Sequence, residues 1–147
     1  MLINSAHFGN IEIPEGELIS FPEGIYGFED LKRWALLGKV EEESSFMWLH
    51  AIDDPKICFV VIDPFVIRKD YLPEPDEGIL AKIETDNAED LRVLAIVTVP
   101  EDVKRMTANL KSPILINSAK NIAVQMVMDT DKYTFKHYIL DEIEKTA

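Results

Sequence analysis

Short runs of aromatic and β-branched residues recur along the chain, separated by turn-forming residues at intervals of roughly eight to twelve positions. The runs are ELISF, RWALLG, FMWLHAI, ICFVVI, LRVLAIVTV, PILIN, NIAVQMVM and YTFKHYIL. Near the N-terminus, Gly9 and Asn10 separate LINSAHF from IEI, and such a pair suits the turn of a hairpin. The pattern predicts a mainly β fold, a single-domain antiparallel barrel-like folded sheet over residues 1–147.

Two segments predict short helices. EPDEGILAKI begins with acidic residues, and its Ile79, Leu80 and Ile83 fall on one helical face. EDVKRMTANL predicts another helix of about two turns. Two or three short helices are too few for alternating strand–helix–strand units, so we expect an antiparallel sheet and not a parallel one.

Acidic residues dominate the charge of the chain, with 27 Asp and Glu against 15 Lys and Arg and a net charge of -12. Because proteins bind phosphate backbones mainly through Lys and Arg, this balance argues against direct nucleic-acid binding. The acidic clusters are Glu41–Glu43, Asp53 with Asp54, Glu74 with Asp76 and Glu77, Asp86 with Glu89 and Asp90, and Asp141–Glu144. Each cluster is compatible with a solvated surface that keeps the protein soluble. The alternative interpretation is that some of the clusters attract a basic partner.

The N-terminal residues MLINSAHFGNIEI contain neither a basic region nor a long apolar run. Apolar stretches elsewhere in the sequence are too short to cross a membrane. We therefore expect a cytoplasmic protein without a membrane partner, and we favour a monomer. Cys58 lies in KICFVVID and has no second cysteine to pair with, so it is expected to be a small buried hydrophobic residue.

The segment ISFPEGIYGFEDL holds two of the six glycines, Gly24 and Gly27. Their spacing is compatible with a phosphate loop, which needs backbone amides at a helix start and usually a basic side chain. Here no basic residue occurs before Lys32, and the neighbouring charged residues are Glu23, Glu29 and Asp30. The segment therefore predicts a compact turn and not a phosphate site.

In this turn the glycines would allow unusual φ angles while Phe21, Ile25 and Phe28 pack against the core. Tyr26 would then stand at the tip of the turn, where packing does not explain a large amphipathic side chain. Tyr26 is therefore a candidate contact for a partner.

The three histidines are His7, His50 and His137, and none has the spacing of a recognised metal site. His50 lies near Asp53 and Asp54, which leaves open a small hydrolase as an alternative function. A second alternative is a β-barrel that binds a small molecule in a roomy apolar pocket. We favour neither, and we expect no catalytic residue, no cofactor and no metal.

The methionines of the C-terminal half divide into two kinds. Met126 and Met128 alternate with Gln125 and Val127 in one predicted strand, which predicts core packing for both methionines. Met106 lies next to basic residues in the second predicted helix, where it would be a soft contact for an amphipathic partner.

Five segments occur in an order typical of one family. They are FGNIE (Phe8–Glu12), FPEGIYGF (Phe21–Phe28), FVVIDPF (Phe59–Phe65), EDLRVLAIVTV (Glu89–Val99) and ANLKSPILIN (Ala108–Asn117). Together they resemble the FliW family of bacterial flagellar assembly factors over nearly the whole chain. Tyr26 departs from the pattern, since the family usually has proline there, and Ala123 stands where glycine is common.

The resemblance implies a non-enzymatic regulator with two protein partners. Proteins of this family bind the small RNA-binding repressor CsrA and relieve its repression of flagellin translation, and they also bind flagellin. When flagellin accumulates before export, it occupies the family member, CsrA is freed and flagellin synthesis stops. The resemblance also implies that inhibition acts from a site beside the RNA-binding face of CsrA.

The family's motifs also mark residues of this chain. Those expected to hold the loop are Phe21, Pro22, Gly24, Gly27 and Phe28. Those expected to shape the C-terminal strands are Asn109, Leu110, Pro113, Ile114, Ile116 and Asn117, whose two asparagines suit backbone hydrogen bonds at strand ends. The predicted partner contacts are Glu23, Tyr26, Glu29, Glu74, Asp76, Met106 and Lys111.

Overall fold

The described residues are 1–38 and 45–146 of a computed structural model, so the acidic cluster Glu41–Glu43 lies outside them. The strands are β1 (Leu2–Ser5), β2 (Gly9–Glu12), β3 (Leu18–Ser20), β4 (Arg33–Leu37), β5 (Phe46–Ala51), β6 (Cys58–Ile62), β7 (Leu91–Thr98), β8 (Thr107–Ala108), β9 (Ile114–Asn117), β10 (Ile122–Gln125) and β11 (His137–Tyr138). The helices are α1 (Pro64–Ile67), α2 (Glu77–Lys82) and α3 (Ile139–Thr146), with 3-10 turns at Glu15–Glu17, Ala88–Asp90 and Val103–Arg105. The prediction of a mainly β fold with two or three short helices is confirmed.

Seven strands close into a barrel in the order β7, β6, β5, β4, β3, β10 and β9. The barrel closes because β7 pairs antiparallel with β6 on one edge and with β9 on the other. The pairing of β3 with β10 is parallel and is confined to Ser20 and Ile122. The predicted barrel is therefore confirmed. Among the pairings of the described strands, this parallel contact is the one that differs from the antiparallel prediction.

Large side chains fill the interior of the barrel. One buried cluster draws a side chain from each of the seven strands, namely Ile19, Trp34, Leu49, Val61, Leu94, Ile114 and Ala123. Trp34 stacks on Phe59 with 5.7 Å between ring centroids and contacts Phe21 at 5.9 Å. Small barrels are commonly filled in this way. The filled interior occupies the space that a small-molecule-binding barrel would keep open.

A second buried cluster covers the outer face of the barrel beneath the helices. Its members include Ile62, Ala95 and Leu115 of the strands, Ile67, Ile83 and Ile139 of the helical segments, and Met126 and Met128. Each of these three strand residues directly follows one that faces the interior, as side chains alternate along a strand. The predicted core packing of the two methionines is confirmed.

The N-terminal hairpin forms, but its turn is not at Gly9 and Asn10. Ser5 pairs with Gly9, so residues 6–8 make the turn. The Ser5 hydroxyl accepts hydrogen bonds from the backbone N–H groups of His7 and Phe8, at 3.0 and 3.1 Å. Gly9 has a φ of 71°, the left-handed conformation that commonly follows a hairpin turn of this length. Glycine thus supplies the unusual φ angle at the first residue of β2 and not inside the turn.

Two predictions for the C-terminal half are wrong. The helix expected in EDVKRMTANL is only the 3-10 turn Val103–Arg105, because Thr107 and Ala108 pair with β7 on one edge and β11 on the other. YTFKHYIL is not one long strand. It contributes the two residues of β11 and then begins α3, whose Ile139 is buried in the outer cluster.

The helices begin where side chains can cap them. Asp63 accepts a hydrogen bond from the Phe65 N–H before α1, and Asp76 accepts one from the Ile79 N–H before α2. Caps of this kind satisfy backbone donors that have no partner within the helix. The helix predicted in EPDEGILAKI is confirmed. Within the described residues, none of the helices has the length and apolar character needed to cross a bilayer.

Asn117 ties the end of β9 to the segment after α2. Its side chain is buried, donates to the Ile83 carbonyl at 2.8 Å and accepts from the Ala119 N–H at 3.2 Å. Asn117→Ala would leave both backbone groups without this partner, so we expect the free energy of unfolding to fall by about 1–3 kcal/mol in urea denaturation. The control is Asn4→Ala, at an exposed position of β1, which should change it by less than about 0.5 kcal/mol. Equal losses in the two variants would contradict the role of Asn117.

Candidate functional site

The segment that follows β3 is the compact turn that the sequence predicts. The Gly24 N–H donates to the Phe21 carbonyl at 2.9 Å, and the Phe28 N–H donates to the Ile25 carbonyl at 2.6 Å. Gly24 and Gly27 have φ angles of 68° and 89°, which L side chains rarely adopt. Phe21 and Ile25 are buried. The turn is therefore held to the barrel by its apolar side chains while its glycines reverse the chain direction.

Tyr26 stands at the tip of this turn. Its backbone N–H donates to the side-chain oxygen of Gln125 at 3.0 Å, and the Gln125 amide donates to the Ser112 carbonyl at 3.2 Å. Gln125 is buried, whereas the Tyr26 residue is 62% exposed. The backbone at the tip is therefore fixed by a hydrogen bond to a buried side chain, and the aromatic ring is presented to solvent.

An apolar groove of about 400 Å³ lies beside the turn. Its apolar lining is Ile25, Tyr26, Phe28, Phe59, Ile96, Val127 and Phe135. Phe59 and Ile96 pack against the interior cluster, so they connect the floor of the groove to the barrel core. Phe135 is 55% exposed, and the Lys111 ammonium lies 5.6 Å from the centre of its ring. Exposed aromatic side chains around an apolar floor are typical of a binding surface.

An acidic groove of about 370 Å³ adjoins the apolar groove. Its lining includes Leu72, Glu74, Asp76, Ile79, Asp129 and Tyr133. Lys132 is the only base among the described lining residues, and its ammonium lies 5.7 Å from the centre of the Tyr133 ring. Val127 lines both grooves. The two grooves therefore form one continuous face, apolar at one end and acidic at the other.

Four of the predicted partner contacts lie around these grooves. Tyr26 lines the apolar groove and Lys111 lies over its Phe135, while Glu74 and Asp76 line the acidic groove. Asp76 also caps α2, so it has a structural role as well. The structure thus gathers residues that are far apart in the sequence onto one face.

Two further predicted contacts lie on the glycine turn and have partners of their own. The Glu23 carboxylate pairs with Lys82 of α2 at 3.2 Å. The Glu29 carboxylate accepts from the Gly27 N–H at 3.1 Å, and this backbone hydrogen bond holds the pKa of Glu29 below its usual value. Glu29 therefore stays charged, and both residues help to fix the turn.

Met106 is not part of either groove. It is half-buried and packs against the outer core cluster, and its carbonyl accepts from the Ile139 N–H at 3.0 Å. The prediction that it lies in a helix is wrong, since it occupies a packing site at the start of α3. Its role as a soft contact for a partner stays a prediction.

Of the motif residues expected to shape the C-terminal strands, Asn109 lies at a groove and the others have packing or backbone roles. Asn109 lines the apolar groove and accepts from the Ser112 N–H at 2.9 Å. Leu110 is fully buried, and its carbonyl accepts from the Tyr71 hydroxyl at 2.6 Å. The Pro113 carbonyl accepts from the Met126 N–H at 3.0 Å. Ile114 and Ile116 are buried in the interior cluster, whereas Pro22 of the glycine turn is exposed.

His50 lies in a different part of the molecule and is fully buried. Its Nε2 is 2.7 Å from the Ser5 hydroxyl oxygen, and its Nδ1 is 2.6 Å from the Ala51 carbonyl oxygen. Because a carbonyl can only accept, Nδ1 carries the proton and the Ser5 hydroxyl donates to Nε2. The serine–histidine pair therefore serves to tie the N-terminal hairpin to β5.

The carboxylates expected beside His50 have other partners. Asp53 forms a bidentate pair with Arg33, and this hydrogen-bonded guanidinium holds the pKa of Asp53 below its usual value. Asp54 accepts from the Lys56 N–H in a turn at 3.1 Å. A hydrolytic site needs its base within reach of both substrate and orienting group, and these residues do not assemble one around His50.

The geometry also does not support a reactive cysteine or a metal site among the described residues. Burial raises the pKa of the Cys58 thiol to about 11, so the thiol stays protonated near neutral pH and is a poor nucleophile. Within residues 1–38 and 45–146, no cluster of three or more His, Cys, Asp or Glu side chains is placed to hold a metal ion.

Sequence reasoning missed four residues of the apolar groove, namely Phe59, Ile96, Val127 and Phe135. The alternation in QMVM did contain a signal for Val127, since inward Met126 and Met128 require the residue between them to point outward. Phe135 lay in the segment interpreted as a strand, and Phe59 and Ile96 read as ordinary core residues. Pairing of β6 with β7 places Phe59 and Ile96 on adjacent strands, and Val127 and Phe135 join them only in the folded chain.

The chain resembles known proteins over nearly its whole length. The family model described as FliW protein matches residues 2–139. The flagellar assembly factor FliW of Caldanaerobacter subterraneus subsp. tengcongensis is 44% identical over 144 residues, covering 98% of this chain and 96% of that relative. The flagellar assembly factor FliW of Ruminiclostridium cellulolyticum is 39% identical over 145 residues, covering 99% and 98%. A crystal structure of the flagellar assembly factor FliW matches with a TM-score of 0.87 at 31% identity, covering 95% of this chain and 96% of that one.

The turn beside the apolar groove should not tolerate a side chain at Gly24. A Cβ there would stand 2.6 Å from the Glu29 Cα, and the left-handed conformation adds about 1–2 kcal/mol for a residue other than glycine. We expect Gly24→Ala to lower the free energy of unfolding by more than about 2 kcal/mol in urea denaturation followed by circular dichroism.

Two glycine variants serve as controls for the Gly24 substitution. Gly27 has a positive φ but open space around it, so Gly27→Ala should show only the conformational cost of about 1 kcal/mol. Gly16 has neither constraint, and Gly16→Ala should change stability by less than about 0.5 kcal/mol. If Gly24→Ala and Gly27→Ala lost equal stability, the steric explanation would be wrong.

Proposed function

The chain belongs to the FliW family of flagellar assembly factors, and from this premise we propose that it acts without catalysis, by binding the RNA-binding repressor CsrA and flagellin in turn. With CsrA bound to the protein, flagellin mRNA is free for translation. When flagellin accumulates ahead of export, it occupies the protein and CsrA returns to the mRNA. The protein thereby couples flagellin synthesis to export, and it acts in the cytoplasm, where both partners are present.

The observation that carries this proposal is the continuous face formed by the two adjoining grooves. Its apolar end presents exposed aromatic side chains over the barrel core, and its acidic end is lined by Glu74, Asp76 and Asp129. An apolar patch bordered by polar and charged side chains is a common plan for a protein interface. A protein that acts by binding and releasing other proteins requires such a surface and requires no reactive group.

The net charge of -12 supports CsrA as one of the partners. A strongly acidic surface attracts a basic RNA-binding protein and speeds their encounter. The same charge repels the phosphate backbone of RNA. The protein would therefore compete for the repressor without binding the leader RNA itself.

A competition experiment tests the partner switch. CsrA is first bound to labelled flagellin leader RNA, the purified protein is then added, and flagellin is added last. We expect the RNA-bound fraction of CsrA to fall in the second step and to recover in the third, as read by fluorescence anisotropy. An unrelated protein of equal negative charge controls for bulk electrostatics. RNA that stays bound at every excess of the protein would rule out the regulatory function.

The association with CsrA should depend on salt. Exposed charges are screened beyond a distance of about 10 Å at 0.1 M salt and about 3 Å at 1 M. Between about 0.05 and 0.5 M salt we expect the affinity to fall at least about fivefold, mainly through the association rate. Surface plasmon resonance would measure both rates. An affinity that stays constant across this range would mean that the acidic clusters take no part in binding.

A further inference from the structure

The segment from Gln125 to Asp129 continues beyond β10 between the two grooves, and its alternating hydrogen bonds and side-chain burial are those of an extended chain. Met126 and Met128 point inward and are buried, whereas Val127 is 46% exposed and lines both grooves. The Val127 side chain thus marks the place where the apolar groove and the acidic groove meet.

The backbone of this segment is paired along one edge. The Met126 N–H donates to the Pro113 carbonyl at 3.0 Å, and the Met128 N–H donates to the Lys111 carbonyl at 2.9 Å. Successive residues of an extended chain direct their backbone groups to opposite edges. The N–H and C=O of Val127 therefore face the other edge, where the described part of the chain supplies them with no hydrogen-bond partner. An open edge of this kind accepts an added strand.

The side chains on either side of the open edge differ in character. At the apolar end, Tyr26 and Phe135 are both more than half exposed over a floor that includes Phe59. Those side chains leave room for a large apolar group from outside the molecule.

At the acidic end, Glu74, Asp76 and Asp129 stand around the apolar side chains of Leu72 and Ile79. An apolar floor beneath carboxylates fits the stem and the charged head of Lys or Arg. The three carboxylates face a single base, Lys132, among the described lining residues. The charge of this end is thus complementary to a basic segment.

We propose that this face binds an extended segment of a basic partner, which adds as a strand along Val127. A large apolar side chain of the segment occupies the apolar groove, and a nearby Lys or Arg lies over Leu72 and Ile79 with its charge at Glu74 and Asp129. The inference rests on the proposed function and assigns this face to the basic one of the two partners, the RNA-binding repressor. Backbone pairing supplies affinity in this mode, and the two side-chain sites supply specificity.

Paired variants of the full-length protein test each part of this face. Tyr26→Ser with Phe135→Ser removes the apolar end, and Glu74→Gln with Asp129→Asn removes two charges from the acidic end. The matched controls change exposed residues outside both grooves. They are Leu2→Ser with Val103→Ser for the apolar pair and Glu101→Gln with Glu144→Gln for the acidic pair.

The backbone contact has its own pair of variants. Val127→Pro removes the open N–H, and Val127→Ala shortens the side chain while keeping that N–H. Thermal unfolding identifies any variant that fails to fold. If Val127→Pro does not fold, the apolar and acidic pairs decide the outcome.

Binding to intact CsrA and to intact flagellin is measured for every variant by isothermal titration calorimetry. We expect the apolar pair to weaken CsrA binding by at least about tenfold and the acidic pair by about three- to tenfold with a smaller salt dependence. Val127→Pro should weaken it about tenfold more than Val127→Ala does. Both controls should stay within about twofold of the unsubstituted protein.

Three results would overturn the inference, and they are distinguishable. If the unsubstituted protein binds CsrA but the groove variants behave like their controls, this face is not the docking site, and the proposed function stands. If the groove variants lose flagellin and keep CsrA, the assignment to the basic partner is wrong. If the unsubstituted protein binds neither partner, the proposed function fails and this inference fails with it.

Discussion

The strand β7 pairs along both of its edges, and the rest of the barrel depends on this double pairing. Residues 95–97 pair with β6 on one edge, while residues 91–94 pair with β9 and residues 97–98 with β8 on the other. A strand that must be covered on both edges and both faces needs a long apolar run, which LRVLAIVTV provides. Without the pairing to β9, the sheet would stay open and the interior cluster around Trp34 would face water.

The same pairing explains why the candidate site lies where it does. β8 and β9 follow β7 in succession, but residues 110–113 leave the ladder between them. The carbonyls of Lys111 and Pro113 are thereby free to accept from Met128 and Met126. This contact carries the chain beyond the end of β10 as an extended segment, with its outer edge uncovered at Val127. The interruption in the ladder therefore positions the segment that carries the open edge, and the glycine turn with Tyr26 forms the neighbouring wall.

Most strands can be predicted from the sequence because they are short apolar runs separated by turn residues, and both features are local. Prediction fails where tertiary contacts override these local features. Thr107 and Ala108 lie in a segment with a helical pattern, yet they are strand residues because β7 and β11 flank them. Ile139 begins a helix inside an aromatic, strand-like run because the outer core buries it. At the site, Tyr26 was identifiable because packing does not explain it, and the charges of Glu74 and Asp76 suggested a contact. Phe59, Ile96 and Phe135 carry no local signal, since they belong to separate segments that come together in one groove only in the folded chain.

The filled interior and the small groove together limit how such a protein can hold a partner. A groove of about 400 Å³ has room for only one or two side chains of a partner. Those side chains bury much less than the total of about 1,600 Å² that a stable protein interface buries. The groove is therefore suited to be an anchor, where a few residues carry most of the binding energy. Charged surface around it speeds association and contributes less to residence time. A partner would be attracted quickly by the acidic field and held by backbone pairing at Val127 together with the apolar anchor, so a competitor that reaches this small site can displace it. Such an interface suits exchange between partners better than permanent assembly.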